Sequence, residues 1–194
     1  MRVIRQFRNS RSTYGWGSIV LHWLVALTVL GMYPLGLYIV SLGYYDPGYR
    51  IYPDWHRSIG VLLLMLLCVR LIWKALNPRP EAVTGTRPWE RVAAHLGHWG
   101  LYLLLLVVLA SGYLFSTADG RSIQVFSLFS LPAIPGLALR QEELAAEIHF
   151  YSATLLMLLT AVHLLAALKH HFINKDATLT RMLGLDSEKL NEHH

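Results

Sequence analysis

Apolar residues are concentrated in four long segments, separated by shorter polar stretches. A hydrocarbon core about 30 Å thick requires roughly 20 consecutive apolar residues of helix, and each segment supplies them. Pro34 and Gly36 interrupt the first segment, where a kink is expected. The pattern therefore predicts four transmembrane helices, at about residues 18–41, 56–76, 96–116 and 148–171.

The composition indicates a membrane protein as well. Hydrophobic residues make up 54% of the chain and charged residues only 15%, against roughly 25% in soluble domains. We therefore expect an all-α membrane protein, a four-helix bundle in one domain over residues 1–194, in contact with membrane lipid. The net charge of +5 does not indicate a nucleic-acid partner, because the basic residues flank apolar segments instead of forming a stripe.

Basic residues are unevenly divided between the two sides of the predicted membrane. The side with both termini has twelve, and the other side has four, which lie among carboxylates. Loops rich in Lys and Arg stay in the cytoplasm, so both termini are predicted to be cytoplasmic. The twelve are Arg2, Arg5, Arg8, Arg11, Lys74, Arg79, Arg87, Arg91, Lys169, Lys175, Arg181 and Lys189, and the four are Arg50, Arg57, Arg121 and Arg140.

Four histidines fall into two pairs by their predicted depth. His149 and His163 are 14 residues apart on the fourth segment, which is about 21 Å of rise and four turns less roughly 40°, so they face nearly the same direction. His56 begins the second segment, on the side of His149. His22 lies about five residues into the first, on the side of His163.

Two pairs of imidazoles at two levels of a bundle suit two haems, because haem iron takes one axial ligand on each face. The single cysteine, Cys68, excludes the C-x-x-C-H attachment of a c-type haem, so the haems would be b-type. Polar contacts between helices, or metal transport, are the alternatives. A zinc site would instead gather three or four ligands at one level.

Four further residues are candidates near these pairs. Arg70 reaches the level of His22 and His163, where it is expected to bind a haem propionate, unless it extends to the interface. Arg57 has the same expected role at the other haem, or is an ordinary interfacial cation. His95 and His98 start the third segment; we expect His98 to support the ligands or the quinone, with ligation as the second interpretation.

Several stretches resemble the bacterial di-haem cytochrome b561 family, which is related to the cytochrome b subunits of hydrogenases and formate dehydrogenases. The order and spacing of four histidine-bearing helices carry the resemblance over nearly the whole chain. The stretches are YGWGSIVLHWL (14–24), HRSIG (56–60), AHLGHWGLYLLL (94–105), STADG (116–120) and LKHHFINKDATLTRM (168–182).

The resemblance implies two b haems, electron exchange with ubiquinone and a multi-pass location in the bacterial inner membrane. The group includes a superoxide oxidase, so superoxide:ubiquinone oxidoreductase activity is one expectation. A second hypothesis is a haem-bearing anchor that relays electrons for a partner dehydrogenase or a periplasmic protein. A third is a histidine-lined metal or ion transporter without haem.

Four side chains near the end of the fourth segment are expected to surround a quinone headgroup or to lie at the lipid boundary: Lys169, His170, Lys175 and Arg181. His171 is expected to lie at the lipid boundary as well. His193 and His194 have no assigned role.

Overall fold

The computed structural model describes residues 6–83 and 85–185. Within these residues the chain forms five helices and one two-stranded antiparallel hairpin. Arg2, Arg5, Lys189, His193 and His194 lie outside the described residues. In chain order the elements are α1 (Trp16–Ser41), α2 (Ile51–Leu76), α3 (Pro88–Ser116), β1 (Ile123–Val125), β2 (Phe129–Leu131), α4 (Gln141–Phe172) and α5 (Thr178–Met182).

The four long helices are each long and apolar enough to cross a membrane, which confirms the predicted bundle. All four start earlier than predicted, α1 by two residues and the others by five to eight, because the apolar segments mark the hydrocarbon core and not the helix ends. In α3, Pro88 takes the first helical position, and the Glu90 carboxylate accepts a hydrogen bond from the backbone N–H of Arg87, 3.1 Å away. This capping adds two turns before the apolar run.

The bundle core is formed by side chains from all four long helices, while large apolar side chains also cover the outer surface. Among the outward residues, Val40 is 81% exposed and Leu165 is 64% exposed. Such a surface suits lipid, which solvates apolar side chains as well as a protein core does. The buried core consists of Val25, Leu63, Leu67, Leu105, Leu109 and Leu156.

The β-hairpin is the main departure from the all-α prediction, and it packs on α2. Phe126 and Ser127 have positive φ angles of 46° and 61°, as expected for a tight turn between twisted strands. The Ser58 hydroxyl donates to the Gln124 carbonyl and accepts from the Phe126 N–H, both at 3.2 Å. An isolated hairpin is only marginally stable, so these bonds to α2 hold it in place.

The two ends of the bundle are closed differently. We call the end with the β-hairpin the hairpin end, and the end with the N-terminal segment and α5 the terminal end. At the terminal end, Asn9 Oδ1 accepts from the Ser18 hydroxyl at 2.7 Å, and Trp73 Nε1 donates to the same hydroxyl at 2.9 Å. Trp23 Nε1 donates to the carbonyl of Met182 at 2.8 Å. The N-terminal segment and α5 are thus bound to the bundle.

Candidate functional site

The histidines predicted to pair by depth have facing rings. The ring centres of His56 and His149 are 6.1 Å apart, with an angle of 77° between the planes. Those of His22 and His163 are 6.4 Å apart, with an angle of 64°. We call these the hairpin-end pair and the terminal-end pair. A bond between a metal and an imidazole nitrogen is about 2.0–2.1 Å, so two rings that share one metal have centres roughly 6 Å apart.

The hairpin-end pair lines a cavity of about 550 Å³, within the usual size range of ligand pockets. Its walls are mostly apolar and come from all four long helices. A Cβ atom at Gly112 would lie 2.9 Å from His149 Nδ1, and one at Gly36 would lie 3.3 Å from His56 Cε1. The glycines therefore leave room for the two imidazole rings.

The hydrogen bonds of the hairpin-end pair suit axial ligation. His149 Nδ1 lies 2.8 Å from the carbonyl oxygen of Val108. Because a carbonyl only accepts, Nδ1 holds the proton and Nε2 keeps a free lone pair. His56 Nδ1 is buried and has no hydrogen-bond partner among the described residues. Burying an imidazole nitrogen in this way is costly unless the ring binds something else. The residues present at this end fit a haem.

The terminal-end pair has a different hydrogen bond. Arg70 donates from a terminal nitrogen to His22 Nδ1 at 2.8 Å. A guanidinium only donates, so His22 accepts at Nδ1 and a neutral ring holds its proton on Nε2. Ligation through Nε2 therefore requires Arg70 to release this ring. A haem propionate would offer that guanidinium a carboxylate in exchange. The terminal end fits a haem when Arg70 turns from the ring.

His98 lies closer to the terminal-end pair than its predicted place at the start of the third helix suggests. Its ring centre is 5.2 Å from that of His163. The prediction that His95 and His98 start the helix is wrong, because α3 begins at Pro88. His56 is likewise inside α2 instead of at its first residue. Among the described residues, no group of three or more His, Cys, Asp or Glu is arranged to hold a metal ion.

Two cations of α2 flank an aromatic ring beside the terminal-end pair. The guanidinium carbon of Arg70 is 5.3 Å from the ring centre of Tyr102, and Lys74 Nζ is 4.3 Å from it. The phenol of Tyr14 belongs to the same cluster; burial raises its pKa, while the charges of Arg181 and Arg79 oppose the rise. Tyr102 could not be recognised from the sequence, because a tyrosine inside an apolar helix is unremarkable before its neighbours are known.

The arginines of the hairpin end are mostly ion-paired. Arg57 pairs with Asp54, and Arg121 pairs with Asp119 at 2.5 Å. The hydrogen bond from Arg121 lowers the pKa of the Asp119 carboxyl, and Asp119 raises the pKa of Arg121. Arg140 pairs with Glu143 in the same manner. The pairing with carboxylates weakens the attraction that these arginines would otherwise exert on an external anion.

The basic residues at the end of α4 also have partners. Lys169 Nζ lies 2.5 Å from Glu90 Oε1, which joins α4 to the start of α3. His170 Nδ1 lies 2.5 Å from Asp176 Oδ2. Although burial favours the neutral acid, hydrogen bonds from Thr178 and His170 lower the pKa of Asp176. The two pairs fix the positions of side chains that were predicted to surround a quinone.

Comparison with known proteins identifies the family. The family model described as prokaryotic cytochrome b561 matches residues 13–185. The chain belongs to this family. Membership confirms the resemblance drawn from the sequence and implies a b-type haem. The protein is a multi-pass bacterial membrane haem protein of the cytochrome b561 family.

Similar proteins of the cytochrome b561 family cover almost the whole chain. Cytochrome b561 homolog 2 of Escherichia coli (strain K12) is 46% identical over 93% of this chain and 96% of its own length. The probable superoxide oxidase CybB of Yersinia pestis is 30% identical over 88% of this chain and 95% of its own. Cytochrome b561 homolog 1 of Escherichia coli is 31% identical over 85% and 93%.

Proposed function

We propose that this protein holds two b-type haems, one at each histidine pair, and passes electrons from a donor outside the cell membrane to ubiquinone. The observation that carries the proposal is the pair of ring distances, 6.1 and 6.4 Å, at two levels along α4. A bound haem supplies one-electron oxidation and reduction. Two histidine ligands saturate the iron, which favours electron transfer over oxygen binding.

In this proposal the chain has three tasks at each haem: ligation, orientation of the ligands and binding of the propionates. His56 and His149 ligate one haem, and His22 and His163 ligate the other. The carbonyl of Val108 fixes the tautomer of His149, as a hydrogen-bonded neighbour does for most metal-bound histidines.

The arginines and His98 have supporting roles. Arg70 would bind a propionate of the terminal-end haem in place of His22. Arg57, which is already paired with Asp54, neutralises a propionate at the hairpin end only in part. His98 packs on His163 and orients it without binding iron.

We further propose that the terminal end faces the cytoplasm of a bacterium, across the inner membrane. The excess of Lys and Arg at this end supports the orientation. Ubiquinone would then accept electrons at the terminal end, near Lys169 and His170. Reduction of a quinone takes up protons as well as electrons, and the pairs Lys169–Glu90 and His170–Asp176 bring polar, titratable groups to the membrane boundary.

Superoxide is the first candidate for the external donor. A relative named as a probable superoxide oxidase, 30% identical over most of both chains, supports it. A donor protein is the second candidate, and the pairing of Arg57, Arg121 and Arg140 with carboxylates favours it. A surface with few free cations does not concentrate a small anion. The haem-free transporter receives no support, because the family is a haem family.

Haem stoichiometry is the first test. Purified protein should show a b-type absorption band in the reduced-minus-oxidised spectrum, with two haems per chain by haem extraction. One haem, or none, would contradict the proposal.

Quinone reduction in proteoliposomes is the second test. Superoxide generated outside the vesicles should reduce ubiquinone only with the wild-type protein, and the His56→Ala variant should be inactive. If superoxide fails while a reduced basic donor protein succeeds, the relay function replaces the oxidase.

A further inference from the structure

Four cations lie at the terminal end, and one of them, Arg70, contacts the terminal-end pair. Arg70 and Lys74, one turn apart on α2, both lie over the ring of Tyr102. Arg79 interacts electrostatically with Lys74, and both Arg79 and Arg181 interact with the buried phenol of Tyr14. We call Arg70, Lys74, Arg79 and Arg181 the cation group. It brings together α2, the loop after it and α5.

The cation group is not neutralised by carboxylates in the described part of the chain. None of its four members belongs to an ion pair there. Arg181 donates to a backbone carbonyl, that of Glu81, at 2.9 Å, and its Nε is buried without a hydrogen-bond partner.

Two of the three nearby carboxylates at this end are already engaged, while that of Glu81 forms no ion pair in the described part of the chain. Glu90 is bound to Lys169, and Asp176 is bound to His170. The positive charge of the cation group is therefore available to whatever lies at the terminal-end pair.

The hairpin-end pair has no such excess of positive charge. Its cavity is lined by two arginines and two carboxylates: Arg57, Arg121, Asp119 and Glu142. Both arginines are ion-paired, Arg57 with Asp54 and Arg121 with Asp119. The charged groups around this pair are balanced or slightly negative.

Net charge in the surroundings is one of the factors that set the reduction potential of a haem. A reduced haem carries one more negative charge than an oxidised one, so neighbouring cations stabilise the reduced form. For Arg70 and Lys74, which lie in α2, this interaction is strong, because the low dielectric screens it little. Arg79 is exposed in the loop after α2, so its interaction is screened more and its effect is smaller. Cations that are paired with carboxylates contribute much less, since the two fields cancel at a distance.

We propose that the cation group gives the terminal-end haem the higher reduction potential and so directs electrons from the hairpin end to the terminal end. The inference rests on the proposed two-haem function. One electron leaves the hairpin-end site, which is oxidised, and enters the terminal-end site, which is reduced; no bond or proton is exchanged. We expect at least a tenfold preference for the terminal-end site, which is about 59 mV for one electron.

The members of the cation group act on the terminal-end haem through their electrostatic field, and Arg70 also contacts His22. Lys74 and Arg79 are the better probes, because neither touches a predicted ligand in the described structure. Lys74→Gln removes one charge and keeps a polar side chain of similar length. Lys74→Arg keeps the charge and serves as its matched control.

The test is a redox titration of the purified holoprotein, followed by optical absorbance. The wild type should give two waves, and the His56→Ala variant, which lacks the hairpin-end haem, should retain the higher one. Lys74→Gln and Arg79→Gln should lower the higher wave and leave the lower one in place. Lys74→Arg should leave both waves unchanged.

Several outcomes would overturn the inference. Equal potentials would do so, as would a higher wave that is lost in His56→Ala, or a higher wave that Lys74→Gln and Arg79→Gln do not move. If His56→Ala fails to fold, His149→Ala makes the same assignment. Finding one haem per chain would overturn the proposed function itself, whereas two haems with the wrong order of potentials would overturn only this inference.

Discussion

The two ends of the bundle present the same pair of imidazoles in opposite surroundings. At the hairpin end, His149 is held by a backbone carbonyl and keeps Nε2 free, next to a cavity shaped by Gly112. At the terminal end, Arg70 donates a hydrogen bond to Nδ1 of His22, and His98 lies beside His163. One end is preorganised for a ligand by neutral groups, and the other is controlled by charge.

Because the surroundings differ, one helix can serve two sites with distinct properties. α4 supplies one histidine to each pair, so the ligand chemistry is the same and only the neighbours differ. At the hairpin end the arginines are paired with carboxylates, so the electrostatic field is weak. At the terminal end the cation group produces a strong positive field. The two sites differ in the residues that surround the histidines, not in the histidines themselves.

The largest expected effect comes from removing one histidine of α4 at a time. His149→Ala should lose the hairpin-end haem and keep the other, and His163→Ala should do the reverse, because each variant leaves one complete pair. Haem content and the reduced spectrum of each purified variant measure the result. Each should retain about half of the wild-type haem. If both absorbances persist in either variant, the pairing is wrong.

Gly112→Ala should reduce haem occupancy at the hairpin end alone. The added methyl group would lie 2.9 Å from the ring of His149, so the ring must move away from α3, where it is held by the carbonyl of Val108. Gly97→Ala, on the same helix, is the matched control, because nothing lies within 4 Å of its added Cβ. Haem extraction and the reduced spectrum would check this. Equal haem content in the two variants would show that the ring tolerates displacement.

Gln141→Ala should loosen the loop that joins β2 to α4 at the hairpin end. The Gln141 amide nitrogen donates to the carbonyls of Leu114 at 3.1 Å and Ile134 at 2.8 Å, and its oxygen accepts from the N–H of Leu137 at 2.9 Å. Losing these bonds at a buried side chain costs roughly 1–3 kcal/mol.

Trypsin cleavage at Arg121 and Arg140 measures that loosening. The rate should rise at least several-fold in Gln141→Ala, since cleavage follows the population of locally opened chains. Glu142→Ala is the control and should cleave like the wild type. An unchanged rate in Gln141→Ala would mean that the hairpin alone holds the loop.

His98→Ala should have the smallest effect and retain both haems, since His98 only packs on His163 in the proposed arrangement. We expect a small change in the spectrum of the terminal-end haem and no change in stoichiometry. Loss of that haem, with the other retained, would make His98 the ligand in place of His22. Haem extraction followed by the reduced spectrum distinguishes the two results.

The sequence predicts the parts of this molecule that follow from length and periodicity. Apolar length identifies the four transmembrane helices, and the 14-residue spacing of His149 and His163 predicts two levels on one face. The early start of α3 was missed, although Pro88 followed by Glu90 is a typical helix start. The resemblance to the cytochrome b561 family, now confirmed, rested on the same histidines.

Other features depend on contacts between distant residues and were not predictable. Strands of three residues are too short to show an alternating pattern, and Ser58, which anchors them, lies 66 residues from Gln124. Gly36 faces His56 only once α1 has packed against α2. The partner of Arg70 was expected to be a propionate, whereas the described contact is His22, a choice that depends on side-chain direction and not on spacing.

The position of α4 in the chain has a consequence for how the protein is made. Both pairs take their second histidine from α4, which leaves the ribosome after α1, α2 and α3. The hairpin between α3 and α4 must dock on α2, which has entered the membrane before it. In the proposed arrangement neither haem can be clamped before α4 is inserted, so cofactor loading follows translation of all four long helices.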